Sequence, residues 1–196
     1  MTEASGGWSA WRQALGRGIF PHQLAWFLEL PARRLVLSPE LLASRLPLHP
    51  DASVLEVGPG SGYYSLEVAR CIPAGRLELF DLQPQMLARC RAKAEAAGLT
   101  NVGFTTGDGA SLPFADAAFD LVYMVTVFGE VHDQAACLRS IRRVLKPAGA
   151  LSVSEHMPDP DFTPFDALRR QVEASGFRLE ARSGSRWAYT ANFRVT

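Results

Sequence analysis

The chain is short of the features that would place it outside the cell, across a membrane or on nucleic acid. It has only three cysteines in 196 residues, Cys71, Cys90 and Cys137. Their number is odd and no two are close, which excludes a disulfide framework and a CxxC metal or redox motif. Free thiols suit a reducing compartment. No uninterrupted apolar run approaches the ~20 residues of a transmembrane helix. Met1 to Ser9 is polar and glycine-rich, unlike a signal peptide. A cytoplasmic location is the expectation. Neither sign of charge is in excess, with Lys+Arg 20 and Asp+Glu 20. The basic footprint of a nucleic-acid-binding protein is therefore missing, and no nucleic-acid partner is expected. There is no internal repeat and no low-complexity tract.

What the chain does contain is apolar residues, 47% of the total, enough for a full core. Their arrangement changes near Pro50. Before it lie Trp8, Trp11, Phe20, Trp26 and Phe27, with five basic and three acidic residues and no strand signal. Helices are expected there around His22–Leu30 and Pro39–Leu46. After it, short β-rich runs alternate with helical ones. Strands are predicted at Ser53–Val57, Arg76–Asp81, Asn101–Thr106, Phe119–Thr126 and Ala150–Glu155. Helices are predicted at Tyr63–Cys71, Gln83–Ala97, Asp133–Leu145 and Thr163–Ser175, the last with Thr163 as N-cap. Phe177–Arg182 and Arg186–Val195 read as a final hairpin turning at Ser183-Gly184-Ser185. Such alternation implies a doubly wound, mostly parallel seven-stranded sheet over residues 51–196. Residues 1–50 form an N-terminal helical extension.

The most informative stretch is Val54-Leu55-Glu56-Val57-Gly58-Pro59-Gly60-Ser61-Gly62-Tyr63. A buried strand runs into a glycine turn and then a helix. In open α/β sheets, ligands bind beyond the carboxyl ends of the strands. The dinucleotide fingerprint wants Gly or Ala at the position of Tyr63, or of Ser65 in the other register, and finds neither. Glu56 would also repel a diphosphate. The same acid suits a positively charged group. Asp81 ends the second strand, where a carboxylate can accept from both ribose hydroxyls. Its plainer role is a carboxylate at the N-terminus of the next helix. Asp108, between Gly107 and Gly109, could face an adenine amino group with the Ala110 amide at a ring nitrogen. Alone it is an ordinary turn residue.

In this order these segments resemble the class I S-adenosylmethionine-dependent methyltransferases. The resemblance runs from about Val54 to Glu155 through VLEVGPGSG, LFDLQPQML, GDGASLPFADAAFDLV and LKPAGAL. The stretch Leu112-Pro113-Phe114-Ala115-Asp116 with Phe119-Asp120 resembles the subgroup of ubiquinone- and menaquinone-pathway enzymes, which mostly modify small molecules. The resemblance implies a Rossmann-like fold and S-adenosyl-L-methionine as cofactor. It implies that Glu56, Gly58, Gly60 and Gly62 surround the methionine part and its ammonium, and that Asp81 holds the ribose. Leu82 and Met86 would pack near adenine, Asp108, Gly109 and Ala110 would face its edge, and Val125 would lie beside the methionine carboxyl end. Val125-Thr126-Val127-Phe128 lacks the (Asn/Asp)-Pro-Pro-(Tyr/Phe) motif of nucleobase and amide methylation. No metal site is expected.

Methyl transfer from a sulfonium needs positioning and dehydration, and a base only when the nucleophile must lose a proton. Candidate bases are Glu130, His132 and His156, with Glu155 beside the last. Their plainer readings are a loop before the Asp133 helix cap and the start of a Pro158/Pro160 loop. Trp26, Phe27, Leu28, Leu30 and Leu35 could line an apolar substrate site as a lid, or pack on the sheet domain. Arg33-Arg34 also permits contact with a membrane surface. Two other functions stay open. One is a nicotinamide-dependent oxidoreductase, opposed by Tyr63 and Glu56. The other is a non-catalytic S-adenosylmethionine-binding partner protein. The acceptor atom and the oligomeric state are not encoded in any motif.

Overall fold

The computed structural model describes residues 36–196. Within them, one seven-stranded sheet has the order β3-β2-β1-β4-β5-β7-β6. The strands are β1 (Ser53–Val57), β2 (Arg76–Asp81), β3 (Val102–Thr106), β4 (Phe119–Val125), β5 (Leu145–His156), β6 (Phe177–Gly184) and β7 (Ala188–Val195). All neighbouring pairs are parallel except those that β7 makes with β5 and β6. The helices are α1 (Pro39–Arg45), α2 (Ser65–Cys71), α3 (Pro84–Ala96), α4 (Gln134–Val144) and α5 (Phe165–Ala174). The chain reverses its direction of winding between β1 and β4, which puts the topological switch point above their carboxyl ends.

Two apolar layers sandwich the sheet. One joins Leu55, Val57, Val122, Met124, Leu151 and Val153 to the buried stripes of α4 and α5. In α4 that stripe is Cys137, Leu138, Ile141 and Val144, the spacing of one helix face. The Asp133 carboxylate caps this helix by accepting from the Ala136 amide at 2.8 Å. The other layer joins Val54, Leu77, Leu79, Leu121 and Tyr123 to α1 and α2. Strands alternate their side chains between these layers.

The expected elements are present with four shifts. The first helix after the glycine loop starts at Ser65, not Tyr63, because the loop itself uses Gly60–Tyr64. β5 starts at Leu145, directly after α4. Phe119 pairs with Leu145 and Leu121 with Ala150, so Lys146–Gly149 bulges out of the ladder. Pro147, which has no amide hydrogen to donate, sits in that bulge. Pro164, not Thr163, is the N-cap of α5. The Thr163 carbonyl instead accepts from the Tyr189 hydroxyl at 2.5 Å. The final hairpin turns at Ser185–Trp187, later than expected, since β6 pairs on to Gly184. The helix expected around Pro39–Leu46 is α1. The helix over 22–30, the aromatic residues Trp8, Trp11, Phe20, Trp26 and Phe27, the residues Leu28, Leu30 and Leu35, and the Arg33-Arg34 pair lie outside the described residues.

Asp120, one of the residues that carried the subgroup resemblance, lies at the amino end of the sheet, away from the strand tips. Its carboxylate accepts from the Ser53 amide at 2.9 Å and from Lys146 Nζ at 2.8 Å on both oxygens. It thereby ties the starts of β1, β4 and β5 together. Burial works to raise its pKa, but Lys146, the Ser53 amide and His49 outweigh burial and hold it below the ordinary carboxylate range. Asp120→Ala is expected to cost about 1–2 kcal/mol at pH 7, given a partly exposed ion pair and one amide bond. Because the folded-state pKa is lowered, this stability is complete above the unfolded value, ~4. It is lost as pH falls through the folded value. Urea denaturation of parent and variant should show a gap at pH 7 that closes in acid.

Candidate functional site

β1 is apolar up to its last turn, then delivers a carboxyl group and three glycines to the switch point. Gly58, Gly60 and Gly62 all have positive φ, at 71°, 55° and 77°. At Gly58 a side chain is excluded twice over. The backbone is left-handed, and a Cβ would stand 2.6 Å from Val127 Cγ2. The loop is tied down by the Gly58 amide donating to the Phe80 carbonyl at 2.8 Å and the Gly62 amide to Pro59 at 2.9 Å. Cys90 of α3 donates its thiol hydrogen to the Gly60 carbonyl at 3.3 Å. Burial pushes that thiol up to about 12, so it stays a neutral donor.

Two carboxyl groups face each other across this loop. Glu56 is 2% exposed and accepts from Ser65 Oγ at 2.5 Å. Burial pushes it up to about 7, against the Ser65 and Tyr123 hydroxyls that favour its ionised form, and Asp81 adds repulsion. Asp81 is 9% exposed, and its Oδ1 accepts from the Gln83 amide at 2.8 Å. Burial raises it too, while the amides of Gln83, Gly60 and Leu82 favour its charge. Two buried acids at neighbouring strand ends, one held by backbone amides and the other by hydroxyls, suit a ligand that brings its own donors. A ribose diol at Asp81 and a cationic amine at Glu56 would satisfy them. A diphosphate would add negative charge to both. The geometry therefore fits an adenosyl group with an ammonium-bearing tail.

The remaining expected cofactor residues divide. Leu82, half exposed, and Val125, buried at the end of β4, lie at the strand tips. Met86 is 2% exposed within α3 and offers little surface to a ligand. The β3 loop approaches β1, since a Cβ on Gly109 would lie 3.8 Å from Val57 Cγ1. There Asp108 Oδ1 accepts from the Ala110 amide at 2.9 Å. That amide is committed to a local turn, so the expected contact between it and an adenine nitrogen is not preformed. One carboxylate oxygen of Asp108 has no such tie.

Sequence reading missed Thr126. Its φ is 53°, an outlier for a β-branched residue that costs of order 1–3 kcal/mol. The bend swings Val127 over Gly58, and no spacing pattern signals it. Of the candidate bases and their neighbours, Glu130 lies close enough to Glu155 for its charge to help raise that carboxyl. Glu130 sits on a 3-10 turn, Phe128–Glu130, and His132 is exposed in the turn before α4. His156 is buried at the end of β5, and Glu155, its neighbour, points to the opposite face. Glu155 accepts from the Thr163 amide at 3.4 Å, and its other oxygen has no partner among the described residues. Burial, with Asp159, pushes it up to about 8. A depression of about 360 Å³ lined by Pro39, Glu40, Gly62, Tyr63 and Lys93 touches the end of the glycine loop but includes neither Glu56 nor Asp81. No group of metal-ligating side chains occurs among the described residues, and none of their helices is long and apolar enough to cross a membrane.

The chain matches the protein family described as "Methyltransferase domain" over residues 54–149. It is 38% identical over 107 residues to a demethylmenaquinone methyltransferase of Thermus thermophilus, covering 55% of this chain and 48% of that protein. It is 31% identical over 144 residues to a ubiquinone/menaquinone biosynthesis C-methyltransferase of Klebsiella pneumoniae, covering 71% and 57%. The chain thus spans about half the length of these curated relatives. A solved S-adenosylmethionine-dependent methyltransferase of Aquifex aeolicus superposes with a TM-score of 0.84 at 21% identity, covering 91% of this chain and 100% of that one. The [4+2]-cyclase SpnF superposes with a TM-score of 0.73 at 24% identity, covering 84% and 80%.

Gly58→Ala is expected to strain the loop and push Val127 aside, lowering stability by about 1–3 kcal/mol. Thermal unfolding of the variant checks this. Adding Val127→Ala should return only part of the loss, because the positive φ remains.

Proposed function

We propose that this chain, which matches the methyltransferase family over residues 54–149, is a class I S-adenosylmethionine-dependent methyltransferase that binds S-adenosyl-L-methionine and methylates a small, partly apolar acceptor of the quinone type. One observation carries the cofactor reading: two buried acids, Glu56 and Asp81, on either side of a positive-φ glycine loop. The acceptor class is carried over from the relatives, whose names specify quinone substrates. The fold alone selects no reaction, since one structural neighbour is a [4+2]-cyclase. The nicotinamide reading has no support in this loop, where Tyr63 stands in for a glycine and Glu56 for an uncharged residue.

When bound, the cofactor supplies a methyl group already activated by a sulfonium. The chain's own residues do the rest. Asp81 accepts from the ribose hydroxyls while three backbone amides hold its charge in place. Glu56 receives the ammonium. Leu82, at the tip of β2, offers apolar surface to the adenine, and the free oxygen of Asp108 faces the amino edge. Val125 and Val127 close the far wall and keep water out, which matters for an in-line displacement. If the acceptor loses a proton, we assign that task to Glu130 or His156, which flank the ends of β4 and β5, ahead of the exposed His132. We propose residues 1–50 as the segment that covers the acceptor, on the strength of their aromatic and apolar residues, and the cytoplasm as the location.

Two outcomes test this reading. Asp81→Asn should weaken binding of S-adenosylhomocysteine about 10- to 100-fold, because two charge-assisted hydrogen bonds are reduced. Titration calorimetry measures it, and binding of NAD in place of S-adenosylhomocysteine would refute the assignment. Trp26→Ala should raise KM for an apolar quinone acceptor several-fold and leave cofactor affinity unchanged. Steady-state kinetics with a varied acceptor tests that lid.

A further inference from the structure

The sheet face that carries Glu56 holds a row of polar side chains that packing does not require. Register places Leu79, Glu56, Tyr123, Ser152 and Asn192 side by side across β2, β1, β4, β5 and β7. Two residues nearer the amino ends, the equivalent row reads Leu77, Val54, Leu121 and Ala150, buried and apolar from β2 to β5, before Arg194 on β7. The polar row is therefore a local departure from an aliphatic layer. Tyr123 is fully buried, and its hydroxyl faces Glu56 from the adjoining strand. That hydroxyl makes no well-aligned hydrogen bond among the described residues, and neither does Ser152 Oγ. Phenylalanine would fill the same volume without burying a hydroxyl, so the oxygen calls for a reason.

We propose that Tyr123 is a positioning residue for Glu56, its hydroxyl turning to donate to that carboxylate whenever it is ionised, with or without the cofactor's ammonium beside it. The inference rests on the cofactor reading above. A hydroxyl hydrogen rotates to suit its acceptor, so the donation follows the ionisation of Glu56 and not the arrival of the ligand. The groups that face Glu56 come from four elements: Ser65 on α2, Cys90 on α3, Asp81 on β2 and Tyr123 on β4. Ser65 and Tyr123 are donors to the anion. The Asp81 charge opposes it, and the Cys90 thiol stays neutral. Asn192 fixes the far end of the row by donating to the Arg45 carbonyl at 2.8 Å.

The consequence is a pH dependence with a defined sign. Burial pushes Glu56 up to about 7. Below that it is neutral and cannot pair with an ammonium, so binding expels a proton and affinity rises with pH. Removing the Tyr123 hydroxyl removes a donor to the anion, which moves the midpoint upward by about one pH unit.

The test is calorimetric titration of the full chain with S-adenosylhomocysteine between pH 6 and 9. Two buffers of different ionisation enthalpy would count the protons released. The parent should bind more tightly as pH rises through 7 and release a proton below it. Tyr123→Phe should bind about five- to tenfold more weakly at pH 7 and converge on the parent near pH 9. Glu56→Gln should show no such rise. Infrared titration of the Glu56 carboxyl in ligand-free protein should show the same upward move in Tyr123→Phe, independently of any ligand. A Tyr123→Phe profile that coincides with the parent, or is weaker by one factor at every pH, overturns the inference and leaves the cofactor reading standing. No binding by the parent at any pH overturns both.

Discussion

Two carboxyl groups buried within electrostatic reach of each other govern the upper end of this sheet. Each resists burial, and each makes the other's charge more costly. The surroundings are organised to tolerate them. Three backbone amides converge on Asp81, two hydroxyls on Glu56, and a neutral thiol bridges to the loop between. The glycines give the backbone the left-handed turns this convergence needs. The strained Thr126 places Val127 against the loop from the other side. Without a cationic or donor-rich ligand the arrangement is under-compensated, and that imbalance is what selects the ligand.

Much of this was legible in the residues. The strand pattern gave seven strands, because buried parallel strands read as apolar runs and turns as glycine or proline. Glu56 and Asp81 stood out because a carboxyl inside an apolar strand, or at its last position, has few structural uses. Asp81 in fact serves both readings: it accepts from the Gln83 amide at the start of α3 and still faces the loop. Asp108 illustrates the limit. Its turn role and its ligand role share one local sequence, and only the Ala110 hydrogen bond separates them.

What stayed hidden depends on contacts between distant segments. Tyr123 reads as one more apolar residue of β4, since its row-mates Ser152 and Asn192 lie 29 and 69 positions further on. Thr126 gives no signal because its φ follows from what Val127 must cover. Asp120 was read as part of a family pattern, yet its physical work is to brace the opposite end of the sheet through Lys146 and Ser53. The boundaries that moved, at Leu145 and Pro164, did so where a bulge or a tertiary hydrogen bond overrode local preference.

β7 follows β6 in sequence but is inserted between β5 and β6. Until it docks, the backbone groups along that edge of β5 are unpaired. The Tyr189 hydroxyl that anchors the Thr163 loop arrives with the same strand. Docking of β7 thus completes the sheet and anchors that loop together. A chain whose β7 had not docked would therefore lack the anchor of the loop after β5, while the pairing of β1 with β2 beside the glycine loop does not involve that strand.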